Sequence, residues 1–166
     1  MHASLVLALF ATLSGCALHS RLAREHSRIA TELEELAKAP LKLVLYSLDP
    51  DPANWHDQSI RNDRVFYGFE ILGHARIIDS AEQQALLHAL AQGVRENYSS
   101  FAACFDPRHA LHIEAGGRSI DLTICFECLQ VEAHGLNKNI TFFTSASPQR
   151  TFDDPLMRHH LRLAPK

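Results

Sequence analysis

The chain has 166 residues, a formal net charge of −3 and 46% hydrophobic residues. Its 7 glycines and 7 prolines are too few for a disordered chain, and its length suits one domain with its own hydrophobic core. No block of Lys or Arg is present, which argues against a nucleic-acid-binding protein. The 11 histidines are scattered, so most are expected to be ordinary, partly exposed side chains.

The first residues are predicted to form a lipoprotein signal peptide over 1–15. An apolar run from Leu5 to Leu13 is too short to span a bilayer, and small residues then lead to Cys16. The sequence LSGC matches the lipobox of bacterial lipoproteins, in which the leader is cut before an acylated cysteine. The preceding MHAS lacks the usual Lys or Arg, and the alternative is a short N-terminal core helix with a chance cysteine. We therefore expect a chain anchored in the bacterial cell envelope through lipid on Cys16, and Ala17 favours the outer membrane over the inner.

The next segment is predicted to be helical. From Ala17 to Ala39 leucine and isoleucine recur at helical spacing, and Pro40 ends the helix because proline disfavours a helical conformation in the residue before it. Two alternatives remain open for residues 16–40. The helix is either a stalk attached to lipid or an element whose apolar stripe packs on the domain that follows.

Residues 41–166 are predicted to form a single α+β domain. Leu41–Leu48 and Val65–Leu72 have the composition of strands, and a proline-containing loop separates them. The capping-box sequence SAEQ at 80–83 predicts a helix over Ala81–Gln92 that ends at Gly93.

A β-hairpin is predicted from Ala110 to Val131, with Gly116 and Gly117 in a two-residue turn that requires positive φ angles. Apolar residues then meet on one face of both strands, where His109 and Ile124 also lie. This register gives the pairs Leu111/Leu122, Ile113/Ile120 and, on the other face, His112/Asp121.

A further strand at Ile140–Thr144 and a short helix opening at Asp154 and Pro155 complete the predicted elements. The predicted fold is an antiparallel sheet of about four or five strands with helices on one face, preceded by the N-terminal helix.

Two motifs carry the remaining chemistry: CFDPRH at 104–109 and DLTICFEC at 121–128. Together with YSLDP at 46–50, SPQ at 147–149 and LAPK at 163–166, they resemble a family of small uncharacterised bacterial proteins with CFxPRH and DxxICFEC motifs. The resemblance spans residues 41–166. It implies a shared structure and a shared site, without naming an activity.

Zinc binding is one interpretation of these motifs. Cys104, His109, Cys125 and Cys128 offer the sulfur and nitrogen ligands that zinc takes in closed tetrahedral sites. Against it, CFEC contains no Gly or Pro and continues a strand pattern. On a straight strand its two sulfurs point to opposite faces, which argues against both a zinc knuckle and a Cys125–Cys128 disulfide.

A disulfide is the second interpretation. It would join Cys104 to Cys125 or Cys128 and leave one cysteine unpaired. That cysteine is either an inert, buried side chain or, as a third interpretation, an active thiol whose thiolate Arg108 or His109 favours.

His112 and Asp121 are a supporting candidate pair, because a carboxylate that orients a histidine is a common arrangement for a general base. Such cross-strand pairs are also common in purely structural roles. The sequence favours a binding or structural module over an enzyme, with thiol or zinc chemistry as the alternative. No cofactor is expected, with zinc as the alternative, and the membrane is the one partner that the sequence indicates.

Overall fold

The computed structural model describes residues 4–51, 62–97, 100–135 and 139–164, with the backbone alone at residues 4–20 and 62. The helices are α1 (Ser4–Lys38), α2 (Ser80–Glu96) and α3 (Gln149–Arg158), with a short 3-10 helix at Asn62–Arg64. The strands are β1 (Leu41–Asp49), β2 (Val65–Phe66), β3 (Phe69–Ile77), β4 (His109–Ala115), β5 (Arg118–Cys125), β6 (Gln130–His134) and β7 (Ile140–Phe143).

The strands form one antiparallel sheet in the order β2-β3-β1-β4-β5-β6-β7. The predicted α+β class is confirmed, but the sheet has 7 strands, and the expected four or five is wrong. One reason is a hairpin inside the predicted strand Val65–Leu72. Tyr67 and Gly68 have φ angles of 49° and 93°, so they form a tight turn that divides the segment into β2 and β3.

The predicted register of the β4–β5 hairpin is confirmed. Ile113 faces Ile120, and Gly116 and Gly117 have the positive φ angles that the turn requires. The apolar face of the hairpin is buried with side chains from α1, α2 and α3, including Leu33 of α1 and Phe152 of α3.

The second half of α1 belongs to the core. Ile29, Ala30, Leu33 and Ala37 are buried, and α1 packs against α2. Of the two alternatives for this helix, the structure shows the apolar stripe packed on the domain. Across the residues that the structure describes, no helix is both long enough and apolar enough to cross a membrane.

The ends of two helices differ from the prediction. Helix α2 is capped by Asp79, whose Oδ1 accepts the Glu82 N–H at 2.9 Å, so the capping residue is one position before the predicted Ser80. Gly93 does not end α2 but lies inside it, where a Cβ would collide with the Pro148 ring. Helix α3 begins at Gln149, and Pro155 is a buried interior residue of α3 rather than its first.

Candidate functional site

The CFEC segment spans the end of β5 and the tight turn that follows it. Residues 126–129 form the turn, and Leu129 adopts a left-handed conformation with a φ of 60°. The reversal brings Cys125 and Cys128 to a Cα–Cα distance of 5.1 Å, and the two residues form a disulfide. The expectation of a straight strand is therefore wrong, as is the exclusion of this disulfide that followed from it. The turn forms without Gly or Pro because Leu129 takes the left-handed position that Gly usually occupies.

The segment that contains Cys104 lies along this turn. The Ala102 N–H donates to the Cys128 carbonyl at 3.0 Å, and Gln130 Nε2 donates to the carbonyls of Ala102 at 2.6 Å and Cys104 at 3.3 Å. These bonds place Cys104 Sγ 3.5 Å from Cys128 Sγ. Cys104 is a free, exposed cysteine, so the predicted disulfide from Cys104 to Cys125 or Cys128 is wrong, although Cys104 and Cys128 are in contact.

Backbone N–H groups point at the sulfur atoms of the disulfide. The Cys128 N–H donates to Cys125 Sγ at 3.0 Å, and the Asp106 N–H donates to Cys128 Sγ at 3.3 Å. A sulfur atom that gains negative charge is stabilised by such donors. Cys125 and Cys128 are each 1% exposed, so bulk water contributes little to that stabilisation.

Cys104, Asp106 and Cys128 bring three potential metal-ligand atoms together, although Cys128 is bonded to Cys125 in this structure. One potential ligand atom from each lies within 4.8 Å of the others. His109, which the sequence offered as a ligand, is not part of this group. Its Nε2 is 2.8 Å from Asp153 Oδ1, and its ring contacts two phenylalanines, Phe126 and Phe152.

The predicted four-ligand set is therefore not assembled in this structure. Two of its cysteines are bonded to each other, and His109 is 3% exposed and bound to Asp153. The Arg108 guanidinium, expected to favour a thiolate, forms an ion pair with Glu127 at 2.8 Å. Sequence reasoning missed Asp106, although it occupies the variable position of the CFxPRH motif.

A second group of polar residues lies on the face of the sheet opposite the helices. Side chains alternate between the two faces along each strand, so these residues alternate with the buried ones. His112, Asp121 and His134 are consecutive partners on β4, β5 and β6. His112 Nδ1 is 2.6 Å from Asp121 Oδ1, and the Tyr67 hydroxyl donates to Asp121 Oδ2 at 2.8 Å. Burial and the hydrogen bond to Asp121 raise the pKa of Tyr67 to about 12, so its hydroxyl remains a donor across the physiological range.

Tyr67 links the β2–β3 turn to the opposite part of the sheet. Its ring stacks on His134 with the centroids 3.8 Å apart, and the Thr123 hydroxyl lies 3.3 Å from His134 Nε2. Asp121 thus forms hydrogen bonds to both Tyr67 and His112. The predicted His112–Asp121 pair therefore has a structural role, because it helps to hold the β2–β3 turn against β5.

Comparison with known proteins adds little to this geometry. No family model matches the chain, and no curated protein matches it. Among solved structures, the chain is similar to the crystal structure of a proposed lipoprotein from Clostridium perfringens, with 10% sequence identity and a TM-score of 0.45. The match covers 81% of this chain and 93% of that chain. A likeness at this level carries no argument about function.

Proposed function

We propose that this chain is a bacterial envelope lipoprotein, anchored by lipid on Cys16, whose domain carries out thiol–disulfide exchange. The observation that supports the chemistry is the 3.5 Å distance between Cys104 Sγ and Cys128 Sγ, beside the Cys125–Cys128 disulfide. All three sulfurs belong to the two motifs on which the proposed family resemblance rests. The envelope is an oxidising compartment in which such a disulfide persists.

The exchange step needs no outside oxidant. The Cys104 thiolate attacks Cys128 Sγ, so a Cys104–Cys128 bond forms while the Cys125–Cys128 bond breaks. The electron pair leaves on Cys125 Sγ, which then takes a proton from solvent. The Cys128 N–H, 3.0 Å from Cys125 Sγ, stabilises the charge that develops on the leaving sulfur.

Exposure decides which sulfur meets a partner molecule. Cys104 is exposed, whereas Cys125 and Cys128 are almost fully buried. An external thiolate therefore reaches the buried disulfide only through Cys104. It attacks Cys104 Sγ of the rearranged disulfide, forms a mixed disulfide there and releases Cys128 as a thiolate.

Removal of Cys104 tests the exchange. The mature lipidated chain is treated with glutathione in detergent and quenched with acid, and its disulfides are mapped by mass spectrometry. We expect reduction of the Cys125–Cys128 disulfide to be at least about tenfold slower in Cys104→Ser than in the wild type, because the direct route to the buried sulfurs is closed. A glutathione adduct should form on Cys104 of the wild type.

A matched control restores an exposed thiol elsewhere. Ser119 is exposed on β5, about 20 Å along the strand from Cys125 at its normal rise per residue. The double variant Cys104→Ser, Ser119→Cys should remain slow. Reduction of Cys104→Ser at the wild-type rate would contradict the proposed exchange.

The anchor is tested separately. Expressed in a bacterium, the chain should partition into detergent and gain the mass of acyl chains, because two or more chains give stable membrane attachment. Cys16→Ser should lose both properties, and Cys104→Ser should keep them. A Cys16→Ser variant that stays on the membrane would show that the anchor lies elsewhere.

A further inference from the structure

We infer that reduction of the disulfide converts the site into a zinc site, with ligands from the thiolates of Cys104, Cys125 and Cys128 and the carboxylate of Asp106. This inference rests on the proposed function, because Cys125 and Cys128 become available as ligands only after their disulfide is reduced.

The spacing of the ligand atoms agrees with tetrahedral zinc. Two thiolates, each about 2.3 Å from one zinc ion in tetrahedral geometry, lie about 3.8 Å apart. Cys104 Sγ and Cys128 Sγ are 3.5 Å apart, and a carboxylate oxygen of Asp106 lies within 4.8 Å of both. Three of the four ligands are thus close to their required positions in the oxidised protein.

The fourth ligand, Cys125, is supplied by the turn. Both cysteines of a C-x2-C segment can bind one metal when a turn brings their side chains to the same side. The CFEC turn does so, with a Cα–Cα distance of 5.1 Å. Once the S–S bond is broken, side-chain rotation separates Cys125 Sγ from Cys128 Sγ to the spacing that the metal requires.

Hydrogen bonds in the site would stabilise the thiolates of Cys125 and Cys128. The Cys128 N–H already donates to Cys125 Sγ and the Asp106 N–H to Cys128 Sγ, and such donors offset part of the negative charge that the two sulfurs carry after reduction. Gln130 holds the carbonyls of Ala102 and Cys104 and so fixes the Cys104 segment against the turn independently of the sulfur state.

The donor set determines which metal fits. Three soft thiolates favour zinc over calcium or magnesium, which prefer oxygen ligands. Asp106, rather than the predicted His109, is the one ligand of the proposed site that is not a cysteine. The imidazole of His109 is 3% exposed, and its Nε2 lies 2.8 Å from the Asp153 carboxylate, so it is committed to another partner.

Loading the site requires a reductant, which we identify by class as a dithiol. Two electrons and two protons pass to the Cys125–Cys128 disulfide, whose S–S bond breaks, and the dithiol closes to a cyclic disulfide. Zinc binding then releases the thiol protons to solvent.

Metal titration of the lipidated chain in detergent tests the inference. Reduced and oxidised samples are prepared without oxygen and titrated with Co²⁺. The bound cobalt is then displaced with Zn²⁺. We expect about one cobalt per reduced chain, with a thiolate charge-transfer band and the visible bands of tetrahedral cobalt, and no such spectrum from the oxidised chain. Zinc should also protect Cys104 of the wild type from alkylation, a readout that needs no variant.

Two variants separate the candidate fourth ligands. Asp106→Asn should weaken zinc binding at least about tenfold, while His109→Gln should leave the affinity and the cobalt spectrum unchanged. Far-ultraviolet circular dichroism checks that both variants are folded. The inference is overturned if reduced wild type binds neither metal at micromolar concentration, or if His109→Gln weakens binding and Asp106→Asn does not.

Failure of this inference can be distinguished from failure of the proposed function. Exchange is measured on wild type in the presence of a chelator, so it does not depend on zinc. Normal exchange without zinc binding would overturn the zinc site alone. Zinc binding by a chain in which Cys104 does not accelerate reduction of the Cys125–Cys128 disulfide would overturn the exchange alone.

Discussion

The hydrogen bond between His112 and Asp121 predicts a pH-dependent contribution to stability. The side chains are 29% and 18% exposed, and the two atoms are 2.6 Å apart. Partial burial by itself lowers the pKa of His112, but the hydrogen bonds and charges of Asp121 and Glu114 together outweigh it and raise that pKa above its ordinary value. Because the folded state holds the proton more tightly than the unfolded state, the stabilisation is complete below the unfolded pKa of about 6.5. It is lost as the pH rises through the folded pKa.

Replacement of His112 measures this contribution. A hydrogen bond to a charged partner contributes about 1.5–3 kcal/mol, and the exposure of this pair reduces that to about 1 kcal/mol. His112→Gln should therefore lower the free energy of unfolding by about 1 kcal/mol more at about pH 5.5 than at about pH 8.5. Urea denaturation at constant ionic strength gives both values. Gln84→Ala, at an exposed, non-titrating site on α2, should show no such difference. An equal loss at the two pH values, or a larger loss at high pH, would refute the reasoning.

The hairpin and the packing of α2 give two further predictions, both measured by urea denaturation. Ile113→Asp places a carboxylate at a 1% exposed core position and should cost at least about 3 kcal/mol, whereas Glu114→Gln, at an exposed position on the other face, should cost far less. Similar losses at both positions would contradict the register. Gly93→Ala gains about 1 kcal/mol of helix propensity, but its Cβ would lie 2.6 Å from Pro148 Cγ, so we expect a net loss of about 1–2 kcal/mol. Gln84→Ala, at an exposed position of the same helix, should be neutral or stabilising, and stabilisation by Gly93→Ala would show that the contact relaxes freely.

The sequence predicted the β4–β5 hairpin well because independent local signals agree there. The glycine pair fixes the turn, and the alternation on each strand gives the same register. The start of α2 was misplaced by one residue because Asp79 and Ser80 are adjacent and both residue types cap helices. Local signals therefore locate an element but do not choose between neighbouring caps.

The CFEC turn was not predictable from local signals. Its residues continue the strand pattern of β5. The reversal depends on a left-handed conformation at Leu129, which leucine residues rarely adopt. The turn is held instead by contacts distant in sequence, including the bond from Ala102 to Cys128 and the bonds from Gln130 to the Cys104 segment. The Tyr67–Gly68 turn was missed for a similar reason, because Tyr67 is held by Asp121, 54 residues along the chain.

The position of the sulfur cluster relative to the proposed anchor restricts which partners can use it. Along α1, Cys16 precedes the buried His26 by about 15 Å at the helical rise, so the domain would lie close to the membrane. The ring of His26 contacts Phe143, and the exposed Phe101 stacks on the same Phe143 with the centroids 5.1 Å apart. Gln130, the β6 partner of Phe143, also donates to the Cys104 carbonyl at 3.3 Å, so Cys104 lies at the end of the domain where the buried part of α1 begins. On the proposed anchoring, a thiol partner must therefore work close to the bilayer surface, which favours a membrane-attached protein over a bulky soluble one.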